Sequence, residues 1–172
     1  MSAPTTKEKE LSVLKRELSE LETAETFHKI MAFAVGEKEK AYDFYTKLAQ
    51  KVKHPSTRKA FVKFAAEELR QRERLLKMKS DGQIPPMAGE PADLRITDYV
   101  TAEVVLRSEL DTREALLIAI KTAQAAQRMY LDLAEKATDP AMQVVFRSLA
   151  LEEAEHKVVL ETEYDDRVFK QN

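Results

Sequence analysis

Apolar residues recur every three to four positions along most of this chain, which is the period of an amphipathic helix. The pattern predicts four long helices, over residues 24–53, 56–80, 112–137 and 140–168. A shorter stripe precedes them and predicts a short amphipathic helix or a loosely docked arm, with Leu11, Leu14, Leu18 and Leu21 on one face. We therefore expect an N-terminal helical arm over residues 1–22, followed by one helical domain over residues 23–172.

Capping residues and prolines mark where the long helices begin. Thr23 is the expected N-cap of the first helix, and Pro55 opens the second, where its missing N–H leaves no helical hydrogen bond unmade. Asp111 and Glu114 have the spacing of a capping box, and Pro140 begins the fourth helix. Two helical hairpins are therefore predicted, joined by a long crossover over residues 82–110.

Composition narrows the classes of protein and of site. The 28 basic and 30 acidic residues are interspersed and the formal net charge is −2, so no one-signed patch suggests a nucleic-acid partner. No apolar run approaches the roughly 20 residues that a membrane span needs, and the first residues lack the core of a signal peptide. We expect a cytoplasmic protein. The chain has no cysteine, which excludes disulfides, thiolate metal sites and cysteine nucleophiles.

An internal repeat relates the two halves of the chain. An ungapped offset of 85 positions, which brings residue 68 onto residue 153, aligns Pro55 with Pro140. The motif Phe-x3-Ala-x-Glu-Glu occurs at residues 61–68 and again at residues 146–153. Amphipathic helices share leucines and alanines by chance, but a shared proline and this register are harder to obtain by chance. We interpret the repeat as a duplication, so each half can be compared with the other.

Glu153 and His156 give the strongest sequence signal for chemistry. Their i, i+3 spacing makes both project from one face of the fourth helix within one turn. A carboxylate and an imidazole placed in this way form the unit that carboxylate-bridged di-iron bundles take from two of their helices. Such a pair suits iron, manganese or zinc. On spacing alone, a surface or structural role for the pair remains open.

Over both hairpins, about residues 23–169, the chain resembles the rubrerythrin-like family of the ferritin-like, di-iron carboxylate superfamily. The segments AVGEKEKAYDFYTKLA and FVKFAAEELRQ resemble the first pair of family motifs, and AIKTAQAAQRMYLDLA and FRSLALEEAEH resemble the second. The resemblance implies an all-α, ferritin-like four-helix bundle with two metal ions between the helices, used for oxygen or peroxide chemistry or for iron handling. It also implies a homodimer. Because no cysteine can hold the iron of a rubredoxin-like domain, an electron donor would be another protein.

The family's ligand positions are only half retained. Lys38 stands where the family has its first-helix glutamate, Ala123 stands at the third-helix glutamate, and Gln71 replaces a histidine. Three of the six implied ligands remain, namely Glu68, Glu153 and His156.

Lys38 should compete with metal ions for the remaining carboxylates. We expect its ammonium group to pair with Glu68 or Glu153, or its side chain to bend outward while Glu37 takes the inner position. A mononuclear site built from Glu37, Glu68, Glu153 and His156 is the expected remnant of the two-metal centre, with one ion favoured over two.

Three functions are consistent with these features. The first is a rubrerythrin-like oxidoreductase, and the second is a metal-binding protein that holds one ion without catalysis. The third is a non-catalytic scaffold or interaction bundle with no bound metal. A metal-binding role in redox chemistry or iron handling, with a partly lost di-iron site, is the leading interpretation, and the scaffold is the alternative. His28 and His54 are expected at solvent or helix ends, and Tyr45 and Tyr130 in the core.

Overall fold

A computed structural model describes residues 6–81, 110–137 and 139–170, without the side chains of residues 19–24. These residues form helices and no strand: α1 (Thr6–Lys51), α2 (Pro55–Ser80), α3 (Thr112–Lys136) and α4 (Pro140–Phe169). The predicted all-helical class is thereby confirmed. Except for its last residue, the predicted crossover over residues 82–110 lies outside the described residues. None of the four described helices combines the length and the apolar character that crossing a lipid bilayer requires.

Helix α1 begins much earlier than predicted. It runs without a break from Thr6 to Lys51, so Thr23 lies in its interior and the predicted N-cap there is wrong. The physical reason is that residues 6–25 contain neither glycine nor proline and are rich in leucine, lysine and glutamate, which favour helix. A single threonine with capping character does not stop a helix that good helix formers flank on both sides.

The other helices begin at the predicted signals. His54 is the N-cap residue of α2 and is followed by Pro55, which agrees with its predicted place at a helix end. At the start of α3, the Glu114 amide donates to Asp111 Oδ1 at 2.8 Å, and the Asp111 amide donates to Glu114 Oε2 at 3.2 Å. The amide of Met142 donates to the Asp139 side chain at the start of α4. The Asp111 and Asp139 side chains satisfy amides that the helices themselves leave unpaired, whereas His54 makes no side-chain capping bond.

Within the described ranges, the apolar core consists of two clusters, each built from all four helices. One cluster contains Phe27, Ile30, Leu75, Leu133 and Phe146 among others. The other cluster contains Tyr45, Phe61, Leu116 and Leu160 among others. Burying a side chain of this size contributes roughly 1.5–3 kcal/mol. Along α1, α2 and α4, the buried side chains between the two clusters are polar, and they form the candidate site described below.

The duplication seen in the sequence has a counterpart in the packing. In the first half, the rings of Tyr45 and Phe61 lie 6.2 Å apart with an angle of 30° between their planes. In the second half, Tyr130 and Phe146 occupy the aligned positions and lie 6.4 Å apart at 20°. Both tyrosines are buried, as predicted. Each hairpin therefore contributes the same stacked pair to the core.

A network of hydrogen bonds between polar side chains connects the start of α2 to the end of α4. The hydroxyl groups of Ser56 and Thr57 donate to Glu163 Oε1 at 2.5 and 2.8 Å. Arg167 donates to Glu163 and to the Ser56 hydroxyl and also contacts His54. Partial burial would raise the pKa of Glu163, but Ser56, Thr57 and Arg167 outweigh it and lower that pKa. This network holds together the ends of α2 and α4, two of the helices that carry the candidate site.

Candidate metal centre

Five buried polar side chains meet between the two apolar clusters. They come from three helices: Lys38 from α1, Glu68 and Gln71 from α2, and Glu153 and His156 from α4. All five are less than 5% exposed. The i, i+3 spacing on α2 and on α4 directs both members of each pair to the inner face. So many polar and ionisable groups in one buried layer are costly unless they compensate one another.

Lys38 lies between the two buried glutamates. Its Nζ is 2.6 Å from Glu153 Oε1 and 3.0 Å from Glu68 Oε2, and it lies 4.9 Å from the centre of the Tyr130 ring. Burial by itself would lower the pKa of Lys38, but Tyr130, Glu153 and Glu68 outweigh burial and raise it. The ammonium group is therefore charged at neutral pH. The prediction that Lys38 pairs with Glu68 or Glu153 is confirmed, and it pairs with both.

His156 contacts carboxylates through both ring nitrogens. Its Nε2 is 2.8 Å from Glu67 Oε2, while its Nδ1 is 3.3 Å from Glu68 Oε1 and 3.8 Å from Glu153 Oε2. The ring packs against Phe64, with 4.4 Å between the ring centres. Burial would lower the pKa of His156, but the interactions with Glu153 and Glu68 outweigh it and raise the pKa to about 10. Without metal, the ring is an imidazolium at neutral pH.

Two cationic groups therefore lie between the buried carboxylates of Glu68 and Glu153. Lys38 contacts one oxygen of Glu68 and one of Glu153, and His156 Nδ1 faces the other oxygen of each. With Glu67, three negative groups surround two positive ones. The ammonium group of Lys38 and the proton of His156 therefore do in this chain what metal ions do in a carboxylate-bridged centre, since they neutralise the paired glutamates.

The position beside His156 has the donor set for one metal ion. Glu68, Glu153 and His156 each offer one ligand atom, and these atoms lie within 4.8 Å of one another. Among the described residues, His156 Nδ1 and Glu68 Oε1 have no hydrogen-bond partner of acceptable geometry, although both are buried. Buried polar atoms without partners are rare in proteins because each costs about 1–3 kcal/mol. An ion bound by these atoms would satisfy both of them, so the residues fit a single metal ion.

Glu67 contacts the ring nitrogen of His156 that faces away from the candidate metal position. A histidine that binds a metal through one nitrogen usually donates its other N–H to a carboxylate or carbonyl, which fixes the tautomer. Glu67 Oε2 is the acceptor for Nε2 here, which leaves Nδ1 directed at Glu68 and Glu153. Glu67 was not among the predicted site residues, since it is one of many glutamates in a charged run and nothing local distinguishes it.

The other predicted positions are placed differently. The Glu37 side chain is 9% exposed and its Oε1 accepts from Lys40 Nζ at 2.7 Å, and it is not in the converging donor group of the described residues. Its role as a fourth ligand stays a prediction. Gln71 is buried with an unpaired side-chain oxygen, and Ala123 is fully buried and offers no ligand atom.

A cleft between α2 and α4 leads to the outer edge of His156. Its volume is about 370 Å³, and it is lined by Glu67, Arg70, Gln71, Arg74, Glu152, Glu155 and His156. Arg74 and Glu152 form an ion pair of 2.6 Å between the two helices. The inner layer is thus sealed by apolar clusters along the helix axes and approached by solvent from this side.

No family model, curated protein or solved structure matches this chain. Its functional interpretation therefore depends on the motifs in the sequence and on the geometry of the buried cluster.

Proposed function

We propose that this chain is a rubrerythrin-like protein of the ferritin-like superfamily that binds one divalent metal ion, most readily iron, and has an iron-handling or redox role. The observation that carries the proposal is the convergence of three buried ligand atoms from Glu68, Glu153 and His156, two of them without hydrogen-bond partners. One imidazole and two carboxylates suit iron, manganese or zinc. The duplicated sequence and the two packed hairpins support a ferritin-like topology.

The charges favour one ion rather than two. Three carboxylates, from Glu67, Glu68 and Glu153, carry three negative charges, and Lys38 with one divalent ion would balance them. A second ion would need the position of the Lys38 ammonium group, which holds both buried glutamates at 3.0 Å or less. It would also lack the two carboxylates that Lys38 and Ala123 replace.

The residues around the ion have separate tasks in this proposal. Glu67 holds the Nε2 proton of His156, so that Nδ1 is the free donor. Lys38 fixes the orientation of both buried carboxylates from the opposite side. Bound iron would supply one-electron redox chemistry. Any turnover would then belong to the oxidoreductases, with the electron donor on another protein.

A second candidate function is a metal-free scaffold, and a specific observation favours it. Lys38 and the protonated His156 already pair with the buried glutamates. Such a cluster would hold α1, α2 and α4 in register without any metal. In this case the buried ions specify how the helices pack.

Anaerobic loading with Fe(II), followed by desalting and elemental analysis, separates these functions. We expect one iron per chain. Glu153→Gln and His156→Ala should each weaken binding more than about tenfold, because each removes a ligand. Glu152→Gln is the matched control, since Glu152 is the neighbouring carboxylate and pairs with Arg74 instead. Two irons per chain would favour the di-iron enzyme, and none would favour the scaffold.

A further inference from the structure

Each of the two cationic groups in the buried cluster lies beside its own tyrosine. The ring centre of Tyr130 is 4.9 Å from Lys38 Nζ, and Tyr130 belongs to the apolar cluster that contains Phe27. The ring centre of Tyr45 is 6.1 Å from that of His156, with 84° between the ring planes, and Tyr45 belongs to the other cluster. The duplication aligns the two tyrosines with each other. Tyr45 is therefore the tyrosine on the side of the candidate metal position.

The Tyr45 hydroxyl has no hydrogen-bond partner among the described residues, although the side chain is only 1% exposed. Glu68 Oε1 and His156 Nδ1 share this property, and both belong to residues of the candidate metal group. Burial is the largest cause that raises the pKa of Tyr45 well above its usual value, and the neighbouring glutamates add to it, so the hydroxyl keeps its proton. A buried O–H without an acceptor costs free energy. An acceptor bound beside it would remove that cost.

The three ligand residues leave the coordination of a single ion incomplete. Glu68, Glu153 and His156 each offer one ligand atom, and a site with three protein ligands usually keeps a further position for water or a substrate. Ala123, at which the family resemblance implies a carboxylate ligand, is fully buried and offers no ligand atom from α3. Ala123 lies in the same apolar cluster as Tyr45, whose hydroxyl is an unused donor.

We propose that a small inorganic anion binds to the metal ion as an exogenous ligand and accepts a hydrogen bond from the Tyr45 hydroxyl. This inference rests on the proposed function, because without an ion the carboxylates of the layer would repel an anion. Lys38 and one divalent ion balance the three carboxylates, so a bound anion leaves one net negative charge. Hydrogen bonds to charged groups are stronger than those between neutral groups, and the Tyr45 donor would stabilise that charge.

Azide binding to the Co(II)-loaded chain tests the proposal. Azide is a small anion, and its binding changes the visible absorption spectrum of Co(II). Tyr45→Phe should retain its affinity for Co(II) but bind azide at least about tenfold more weakly, because the hydrogen bond is lost. Tyr130→Phe is the matched control, since it removes the same atom from the aligned tyrosine beside Lys38. It should bind azide like the wild-type chain.

The infrared spectrum of the bound azide separates a hydrogen bond from a packing role. The antisymmetric stretch of azide responds to hydrogen bonding, so its frequency should differ between Tyr45→Phe and the wild-type chain. Tyr130→Phe should leave the frequency unchanged. A Tyr45 that acts only through packing would not shift this frequency, because phenylalanine keeps the ring.

Stability without metal gives an independent test of the unpartnered hydroxyl. Tyr45→Phe should not lower the free energy of unfolding, because it removes an O–H that makes no hydrogen bond and keeps the packed ring. Urea denaturation in the presence of a chelator measures it. A marked loss of stability would mean that the hydroxyl has a partner within the chain, and it would overturn the proposal.

The outcomes distinguish this inference from the proposed function. A wild-type chain that binds no Co(II) would contradict the proposed function and overturn the inference with it. If the chain binds Co(II) but its spectrum does not respond to azide, the inference alone is overturned. Equal azide affinities in the wild-type chain and Tyr45→Phe would overturn it as well, as would an equal loss of affinity in Tyr130→Phe.

Discussion

Replacing Lys38 with methionine tests the ionic arrangement of the buried layer. Methionine keeps an unbranched side chain of similar length and removes the ammonium group. At an effective dielectric constant of about 20, the contacts at 2.6 and 3.0 Å are each worth about 6 kcal/mol before desolvation. Desolvation of the lysine offsets most of this attraction. Breaking a buried pair from one side leaves an uncompensated charge and costs about 3–5 kcal/mol. We expect Lys38→Met to lower the free energy of unfolding by that amount in the absence of metal.

Urea denaturation in the presence of a chelator measures this loss, and two further variants make it specific. Lys40→Met is the control, since Lys40 is also on α1 but its side chain is 60% exposed in its pair with Glu37. It should change the free energy of unfolding by less than about 1 kcal/mol. Glu153→Gln added to Lys38→Met should recover part of the loss, because it removes one of the carboxylates that Lys38 neutralises.

The Lys38→Met variant should be stabilised by metal ions more strongly than the wild-type chain. Without the ammonium group of Lys38, the paired carboxylates attract a divalent ion with no internal competitor. Mn(II) at about 100 times its dissociation constant should restore about 2.7 kcal/mol. If Lys38→Met costs no more than Lys40→Met and gains nothing from Mn(II), the assignment of Lys38 as an internal counter-ion is wrong.

Three other predictions follow from the same cluster. Without metal, the free energy of unfolding should fall as the pH rises from about 6.5 to 10. The reason is that an imidazole in the unfolded chain has a pKa of about 6.5, whereas the pKa of His156 in the folded chain is raised to about 10. In urea titrations, a His156→Gln variant should lack this slope. Glu67→Ala should weaken metal binding about 10- to 100-fold in a competition titration, and Glu67→Gln should weaken it less, since the amide oxygen still accepts from Nε2. The triple change Lys38→Glu, Gln71→His and Ala123→Glu should be less stable than wild type without metal. Its melting temperature should rise with added Fe(II) or Mn(II), and it should bind two ions per chain.

Local signals predicted the helix boundaries wherever a boundary depends on a cap. Asp111 and Asp139 accept hydrogen bonds from amides within one turn, and Pro55 has a backbone angle that already suits a helix start. The sequence around these residues is therefore enough to place the helix start. The start of α1 was missed because it depends on the absence of any stop signal. Thr23 has the character of a cap, but the residues on both sides favour helix and α1 continues through it.

The candidate site was predictable only as far as the duplication and the family motifs reach. The duplication aligns Glu68 with Glu153, the family resemblance places Lys38 at an inner position, and the structure brings these three together. The contact of Glu67 with His156 depends on the distance between α2 and α4, which no local pattern encodes. Whether Glu37 faces the buried cluster likewise depends on the rotation of α1 about its axis, and in the structure Glu37 pairs with Lys40 instead.

An anomalous difference map from crystals grown with Mn(II) would test the single-ion site most directly. We predict one peak per chain, about 2.2 Å from His156 Nδ1 and from one oxygen each of Glu68 and Glu153. Lys38 should still contact the other oxygens of the two glutamates. The absence of a peak in this layer, or two peaks with Lys38 displaced, would contradict the single-ion site.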